Sequence, residues 1–580
     1  SANSSGVTYI DHLMNSNMSL AVNPVTGRVT VIGTDGTNEI RFEPNVNATF
    51  VRDMAAQVGP AAGDAVTLTD INADHLDYTV RSVTQSERNK SIGDPRGVVW
   101  NSAGTRAYVS GMGSQNVIVL DQDGHRAGLH DHIVVNNGPT GLALDNGRNK
   151  LYVLNRFSAS ISIIDLNTEN VVAEVPFFDP TPASIKNGRK WLYNTHRTSG
   201  LGQAACGSCH IDGRMDRLGW DLGNPAGDLK TLSDLNLGDN FPGLNDGFEQ
   251  FHPMKGPMTT QTLIGIIGHE PFHWRGDRLG IEEFNGAFVS LLGDDVELTG
   301  DEMNQFKDFL RETWFPPNPF RNADNSLPTD LPLPGHFTTG RFGPEGQQLP
   351  NGNAARGLAI YRSQDHKLDN GAFACVTCHT LPAGNGASVR FNGSRLTLIS
   401  PSVLGNQHLT VISQDGSTNK TIKVAQLRNM ADKAGMNMVK LVSRAGFGYA
   451  HDGSVDSLER FVTEPIFEVQ SDQDVADLVA LLLSFTGSDF GVTAPDPILE
   501  PQGQPSHDVH AAVGKQVTVV DGQNPPLELP LLLSLADGSP RVQVIGKGLI
   551  DGAPRGVLYM GNNNFKSDAA SVQLDRKSVV

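Results

Sequence analysis

GVVWNSAGTRAYVSGMGSQNVIVLD, residues 97–121, lies over GLALDNGRNKLYVLNRFSASISIIDL, residues 141–166, at an offset of 44. Each copy reads as a short strand, a turn rich in Asn, Gly and Ser, a strand around Tyr-Val, a second turn, and an alternating strand that closes near an Asp. A weaker copy precedes them as SLAVNPVTGRVTVIGTDGTNEIRF, residues 19–42, and a truncated one follows as ASIKNGRKWLYNTH, residues 183–196. One such unit cannot bury both faces of its sheet, so units of this period stack, and a period of this length with several strands per unit predicts β-propeller blades. The spacing resembles that of YVTN-type repeats, although the tetrapeptide is degenerate here (AYVS, LYVL). Fewer than four blades are visible, which leaves the ring to be closed by further blades, another segment or another subunit.

Outward from the repeats the text changes. From about residue 197 to 490 helical patterns surround two motifs, ACGSCH (205–210) and ACVTCH (374–379). These contain all four cysteines of the 580-residue chain, so none remains for a separate disulfide. Cys-x-x-Cys-His is the attachment pattern of a c-type haem, with both thiols on the porphyrin and the following imidazole on the iron. The competing reading, a zinc site, needs the two pairs to converge and has no use for the histidine behind each pair. The sequence therefore predicts two covalent haems: Cys206, Cys209 and His210 for the first, Cys375, Cys378 and His379 for the second. Attachment of this kind takes place outside the cytoplasmic membrane, so a periplasmic or extracellular location is expected.

LTGDEMNQFKDFLRETW (298–314) places Met303, Phe306, Phe309 and Leu310 on one helical face behind a Thr299 N-cap, and SDQDVADLVALLLSF (471–485) repeats the design. The expected organisation is residues 1–196 as a partial propeller, 197–315 as a first haem lobe, and 316–352 as a linker. Residues 353–490 form a second lobe and 491–580 a small β-rich module with RVQVIG and GVLYMG as strands. The longest apolar runs, LVALLLSF and LELPLLLSLA, fall short of the roughly 20 residues of a membrane span. A net charge of −18 argues against nucleic acid as a partner.

The haem region also repeats internally. ACGSCH, MTTQTL and PFHWRGDRLGIEEF in the first lobe are answered by ACVTCH, VAQLRN and GYAHDGSVDSLERF in the second. This layout resembles the bacterial di-haem cytochrome c peroxidases and the related methylamine-utilisation di-haem enzymes and di-haem rubber oxygenases. The resemblance covers about half the chain, with HDGSVDSLE and LRN its most specific parts. It implies an oxidoreductase in which peroxide or dioxygen reacts at the first haem and the second supplies electrons from a donor cytochrome, a cupredoxin or another redox subunit. The alternative is a non-catalytic electron-transfer subunit of a larger complex.

The resemblance assigns further residues. Trp274 stands where the family has a Trp between the haems. A family Glu some 20 residues beyond it falls on GDDVE, with Asp294, Asp295 and Glu297 as acid–base candidates; a helix-leading acidic segment is the plainer reading. Phe288 stands where the rubber oxygenases have an apolar lid, or is core. Asn224 in DLGN replaces the family's distal His, so the first iron is expected to lack a strong sixth ligand. His252, Met254, His269 and His273 also lie near that motif in sequence and are the alternative sixth ligands. For the second haem the family's Met position falls on Pro465. Met436, Met430, Met438, His451, His507 and His510 remain as candidate ligands of the iron, with Met436 taken first. Gly446 and Gly448 occupy the loop at which the family binds calcium through carbonyls.

Overall fold

The computed structural model describes Ile10 and residues 13–61, 63–229, 253–254, 256–362, 374–386, 389–391, 396–398, 410–412, 421–428, 430–434, 448–487, 490, 506–520, 523–550, 552–568 and 573–575. The chain divides into two compact units. One comprises residues 1–313, 390–424 and 447–455; the other comprises 314–389, 425–446 and 456–580.

The first unit opens with three four-stranded antiparallel sheets. Strands β1 (Ser16–Val22), β2 (Val29–Gly36), β3 (Val51–Val58) and β4 (Val66–Asp70) form the first in sequential order. Strands β5 (Pro95–Trp100), β6 (Ala107–Gly111), β7 (Asn116–Leu120) and β8 (Ile133–Val134) form the second. Strands β9 (Pro139–Asp145), β10 (Lys150–Asn155), β11 (Ser160–Asp165) and β12 (Asn170–Pro176) form the third. The 44-residue repeat survives as register: Tyr108 pairs with Val119, and Tyr152 pairs with Ile163.

Alternation along the strands gives each blade two apolar faces. Ile32 and Ala55 of the first sheet pack with Val98, Val109 and Ile118 of the second. Tyr108, Val117 and Val119 on the second sheet's other face pack with Leu151, Val153 and Ile164 of the third. The blades therefore stack face to face, as propeller-like blades do.

The stretch 183–196 departs from the repeat. It forms short helices at Ala183–Gly188, Lys190–Tyr193 and Thr195–Thr198. Trp191 and Leu192 are fully buried in the apolar cluster around the first Cys-x-x-Cys-His motif, and packing there overrides the strand-like resemblance. The predicted helix behind Thr299 spans Gly300–Arg311, with Thr299 and Glu302 in a reciprocal capping box and Met303, Phe306, Phe309 and Leu310 buried.

In the second unit the counterpart helix is Asp472–Leu483, capped by Ser471. The Pro- and Gly-rich stretch 316–352 is ordered against this unit. Asn318 and Arg321 donate to the carbonyls of Leu483 and Ser484, and Leu331 and Gly352 exchange backbone hydrogen bonds. The tail contains the helix Glu528–Gly538 and a four-stranded antiparallel sheet of Ile545–Ile550, Ala553–Gly561, Asn564–Ser567 and Gln573–Asp575.

Candidate functional site

The two motifs fold alike. Cys206–Cys209 and Cys375–Cys378 are each a single helical turn, so both thiols of a pair project from one side at i and i+3. The turn is closed locally at its start. Ala205 N donates to Ser208 Oγ at 3.0 Å, and Ala374 N donates to Thr377 Oγ1 at 3.2 Å.

The histidine behind each turn is oriented by a backbone carbonyl. His210 Nδ1 lies 2.8 Å from Gln261 O, and His379 Nδ1 lies 3.0 Å from Gly384 O. Donation from Nδ1 fixes the tautomer and leaves Nε2 as the ligating nitrogen. Burial pushes both imidazoles below their ordinary value, against the pull of those backbone bonds. Tyr361 adds an OH bond to His379 O.

The thiols sit in apolar surroundings. Burial pushes Cys206 and Cys378 up to about 12 and Cys375 up to about 11. Burial, with Asp216 and Cys206 alongside, raises Cys209 well above the thiol range. A dithiol redox motif needs the reverse, a lowered thiol beside positive charge. Cys206 and Cys209 pack against a cluster that includes Trp191, Leu192, Phe288, Phe306 and Leu310. Among the described residues no group of three or more His, Cys, Asp and Glu side chains is gathered to hold a metal ion.

Trp274 is buried, and its indole N–H donates to Thr259 O at 2.7 Å. Thr259 N donates in turn to His451 O at 2.9 Å, and Thr259 is two residues from Gln261, the carbonyl that orients His210. The aromatic element, MTTQTL and the His-Asp-Gly turn are thereby joined beside the first motif. Trp220 belongs to the same framework, donating to the buried carboxylate of Asp216 at 2.8 Å.

The acidic segment is differently employed. Asp294 is 5% exposed and bound to Arg88 Nη1 at 2.8 Å, and Arg88 also holds Asp295. Hydrogen bonding from Ser82, reinforced by Arg88, holds the Asp295 carboxyl below the usual range despite some burial. Glu297 is exposed, and Phe288 is 2% exposed inside the cluster. Asn224 accepts from Ala226 N at 3.0 Å within its own turn. His269 is buried, and His273 Nδ1 lies 3.0 Å from Asp277.

Of the candidates for the second motif, Met430 is buried in a short 3₁₀ turn, His507 stacks on Trp314 at 5.3 Å, and His510 Nδ1 accepts from Ala512 N. His451 lies in the first unit. His252, Met436, Met438 and Gly446 lie outside the described residues; Gly448 is described, with φ +132°. Gln261, Gly384, Arg88 and Asp216 were not singled out by sequence reasoning. For Gln261 the signal was present, since MTTQTL recurs as VAQLRN, and the backbone of Ala425 in that second copy likewise bonds His379.

Fold and site together define the class: antiparallel propeller-like blades in one chain with two Cys-x-x-Cys-His turns of matching geometry. No family model matches the chain, and no curated protein matches it. Among solved structures it is similar to Kuenenia stuttgartiensis hydrazine synthase in two alignments. One has 14% identity over 26% of this chain and 46% of the other, with a TM-score of 0.22. The second, to the enzyme pressurised with xenon, has 16% identity over 53% of this chain and 88% of the other, with a TM-score of 0.28. Apo AztD from Citrobacter koseri aligns at 13% identity over 29% of this chain and 37% of its own, with a TM-score of 0.19. The chain thus spans less than half the length of the first of these structures.

Proposed function

We propose that this chain is an exported di-haem c-type oxidoreductase of the di-haem peroxidase kind, acting on hydrogen peroxide or dioxygen at the first haem with electrons relayed through the second. The observation that carries the reading is the paired geometry. Two helical turns present thiols at i and i+3, and each is followed by a half-buried imidazole whose Nδ1 is occupied by a carbonyl. Those donors fit a covalently attached haem, with Cys206, Cys209 and His210 holding one and Cys375, Cys378 and His379 the other.

When bound, such a group would supply one-electron chemistry and reactivity toward a small oxygen species. The chain's own residues supply the rest. Gln261 O and Gly384 O hold the two imidazoles in one orientation and keep the proton on Nδ1. The apolar cluster with Phe288 and Leu310 excludes water around the first motif. Trp274, tied through Thr259 to the segment that carries Gln261, would be the aromatic group that relays an electron. Within the acidic segment Asp294 is engaged by Arg88, which leaves the exposed Glu297 as the carboxylate for proton delivery.

A second reading is a non-catalytic electron-transfer subunit of a larger complex, in which the Arg88–Asp294 ion pair has a structural role only. Low-temperature EPR of the oxidised, haem-loaded protein separates the two. The enzymatic reading expects one high-spin ferric signal that peroxide perturbs. Two low-spin signals indifferent to peroxide would overturn it in favour of the carrier.

A further inference from the structure

A buried cation in the first unit is left without a counter-charge. Arg189 is 8% exposed and lines a cavity of about 260 Å³ together with Lys190, Lys186, Phe157, Tyr193 and Asn137. Its guanidinium donates through Nη2 to Phe157 O and lies over the Phe157 ring, 4.6 Å from the centroid. Both partners are neutral. Among the described residues no carboxylate comes within ion-pair distance of it, and Asp179, whose field reaches it, is bound by Lys186 at 2.8 Å. Lys190 adds a second cation on the wall; it rests over the Trp191 ring at 4.7 Å and has no ion pair among the described residues. Burying a guanidinium is unfavourable unless it is paired and hydrogen-bonded. A cavity with this excess of positive charge, in a chain of net charge −18, is complementary to an anion.

The remaining wall defines the body of that anion. Phe157 and Tyr193 stand with ring centroids 5.5 Å apart at an interplanar angle of 44°, giving one side of the cavity an aromatic surface. Asn137 and Asn194 are neutral polar residues of the same lining. A guanidinium fork suits a planar carboxylate held by two parallel hydrogen bonds, and aromatic walls suit a flat apolar body. The volume accommodates a single substituted ring.

We propose that this cavity is a binding site for a small aromatic carboxylate, with Arg189 as the carboxylate anchor, Lys190 as the supporting charge and the Phe157–Tyr193 pair as the packing wall. The site is independent of the oxidoreductase reading, because it needs neither haem to be loaded nor any electron to move.

Isothermal titration of the full haem-loaded chain with 4-hydroxybenzoate, and with uncharged 4-hydroxybenzamide as control, tests it. Loss of the charge-assisted bonds predicts binding at least about tenfold weaker for the amide. Arg189→Gln is expected to abolish measurable binding. Because Arg189 is packed, Lys190→Gln serves as the variant that leaves the fold unstressed, with an expected loss of about threefold or more, enlarged at low salt. No heat with 4-hydroxybenzoate at millimolar concentration would overturn the proposal. So would equal binding of acid and amide, or binding of inorganic phosphate in preference to the aromatic acid.

Discussion

Gly384 combines a left-handed backbone with close packing in the turn that anchors His379, and Gly384→Ala measures that packing. Its φ is +65°, and a Cβ built there lies 2.7 Å from Phe485 Cζ and 3.0 Å from Leu427 Cβ. Its carbonyl is the acceptor that orients His379. A non-glycine residue in the left-handed region costs roughly 1–2 kcal/mol, and an extra methyl forced against a packed ring costs about 1–3 kcal/mol more. Phe485 is fully buried and cannot swing aside freely. The expected loss is therefore about 2–5 kcal/mol, or a fall in midpoint on the order of 10 °C for a unit of this size.

The control is Gly514→Ala in the same unit, where φ is +85° but nothing lies within 4 Å of the built Cβ. That substitution incurs the conformational cost alone, about 1–2 kcal/mol. Scanning calorimetry of the haem-loaded chain reads the two against wild type. Equal shifts for Gly384→Ala and Gly514→Ala would show that Gly384 is not pressed against Phe485 and would refute the packing argument for the His379 anchor.

Other outcomes follow from the same structure. Arg88→Met leaves Asp294 buried without its partner and should cost about 3–5 kcal/mol in denaturant unfolding, with Arg88→Met/Asp294→Asn recovering part of the loss; additive losses would contradict the pair. Trp220→Phe removes the donor to Asp216 and should cost about 1–2 kcal/mol, measured by urea unfolding; no change would place that carboxyl in water.

Burial drops His196 to about 4, against the pull of its bond to Ser91 O. Between that value and its unfolded value near 6.5 the unfolded chain binds the extra proton, so its contribution is complete above about pH 6.5 and is lost as pH falls toward 4. The loss amounts to about 3 kcal/mol at the acid end. Stability curves of wild type and His196→Gln should therefore converge below pH 5, and parallel curves would refute the assignment.

Much of the architecture was readable in advance because it rests on periodicity. The 44-residue offset maps Tyr108 on Tyr152 and Val119 on Ile163, and those residues are cross-strand partners in their sheets. The Thr299 helix was legible from its cap and its apolar face, both local properties. The stretch 183–196 misled because a Trp-Leu-Tyr run suits a strand or a buried helix equally, and only the cluster around Trp191 decides between them.

At the site, Cys206, Cys209, His210 and their counterparts were legible because the motif is contiguous. Gln261 and Gly384 were not, since they act through backbone carbonyls that carry no residue identity. The partner of Asp294 was hidden for another reason: Arg88 lies 206 positions away and belongs to the region between two blades.

The claim on which the account rests is that both Cys-x-x-Cys-His turns carry covalent haem. Intact mass spectrometry of the exported protein, paired with the reduced pyridine haemochrome spectrum, measures it directly. The account predicts a mass increment of two haems with a c-type spectrum, falling to one in Cys206→Ala/Cys209→Ala and to one in Cys375→Ala/Cys378→Ala. Four free or disulfide-bonded cysteines in protein matured alongside a competent haem-attachment system would contradict it.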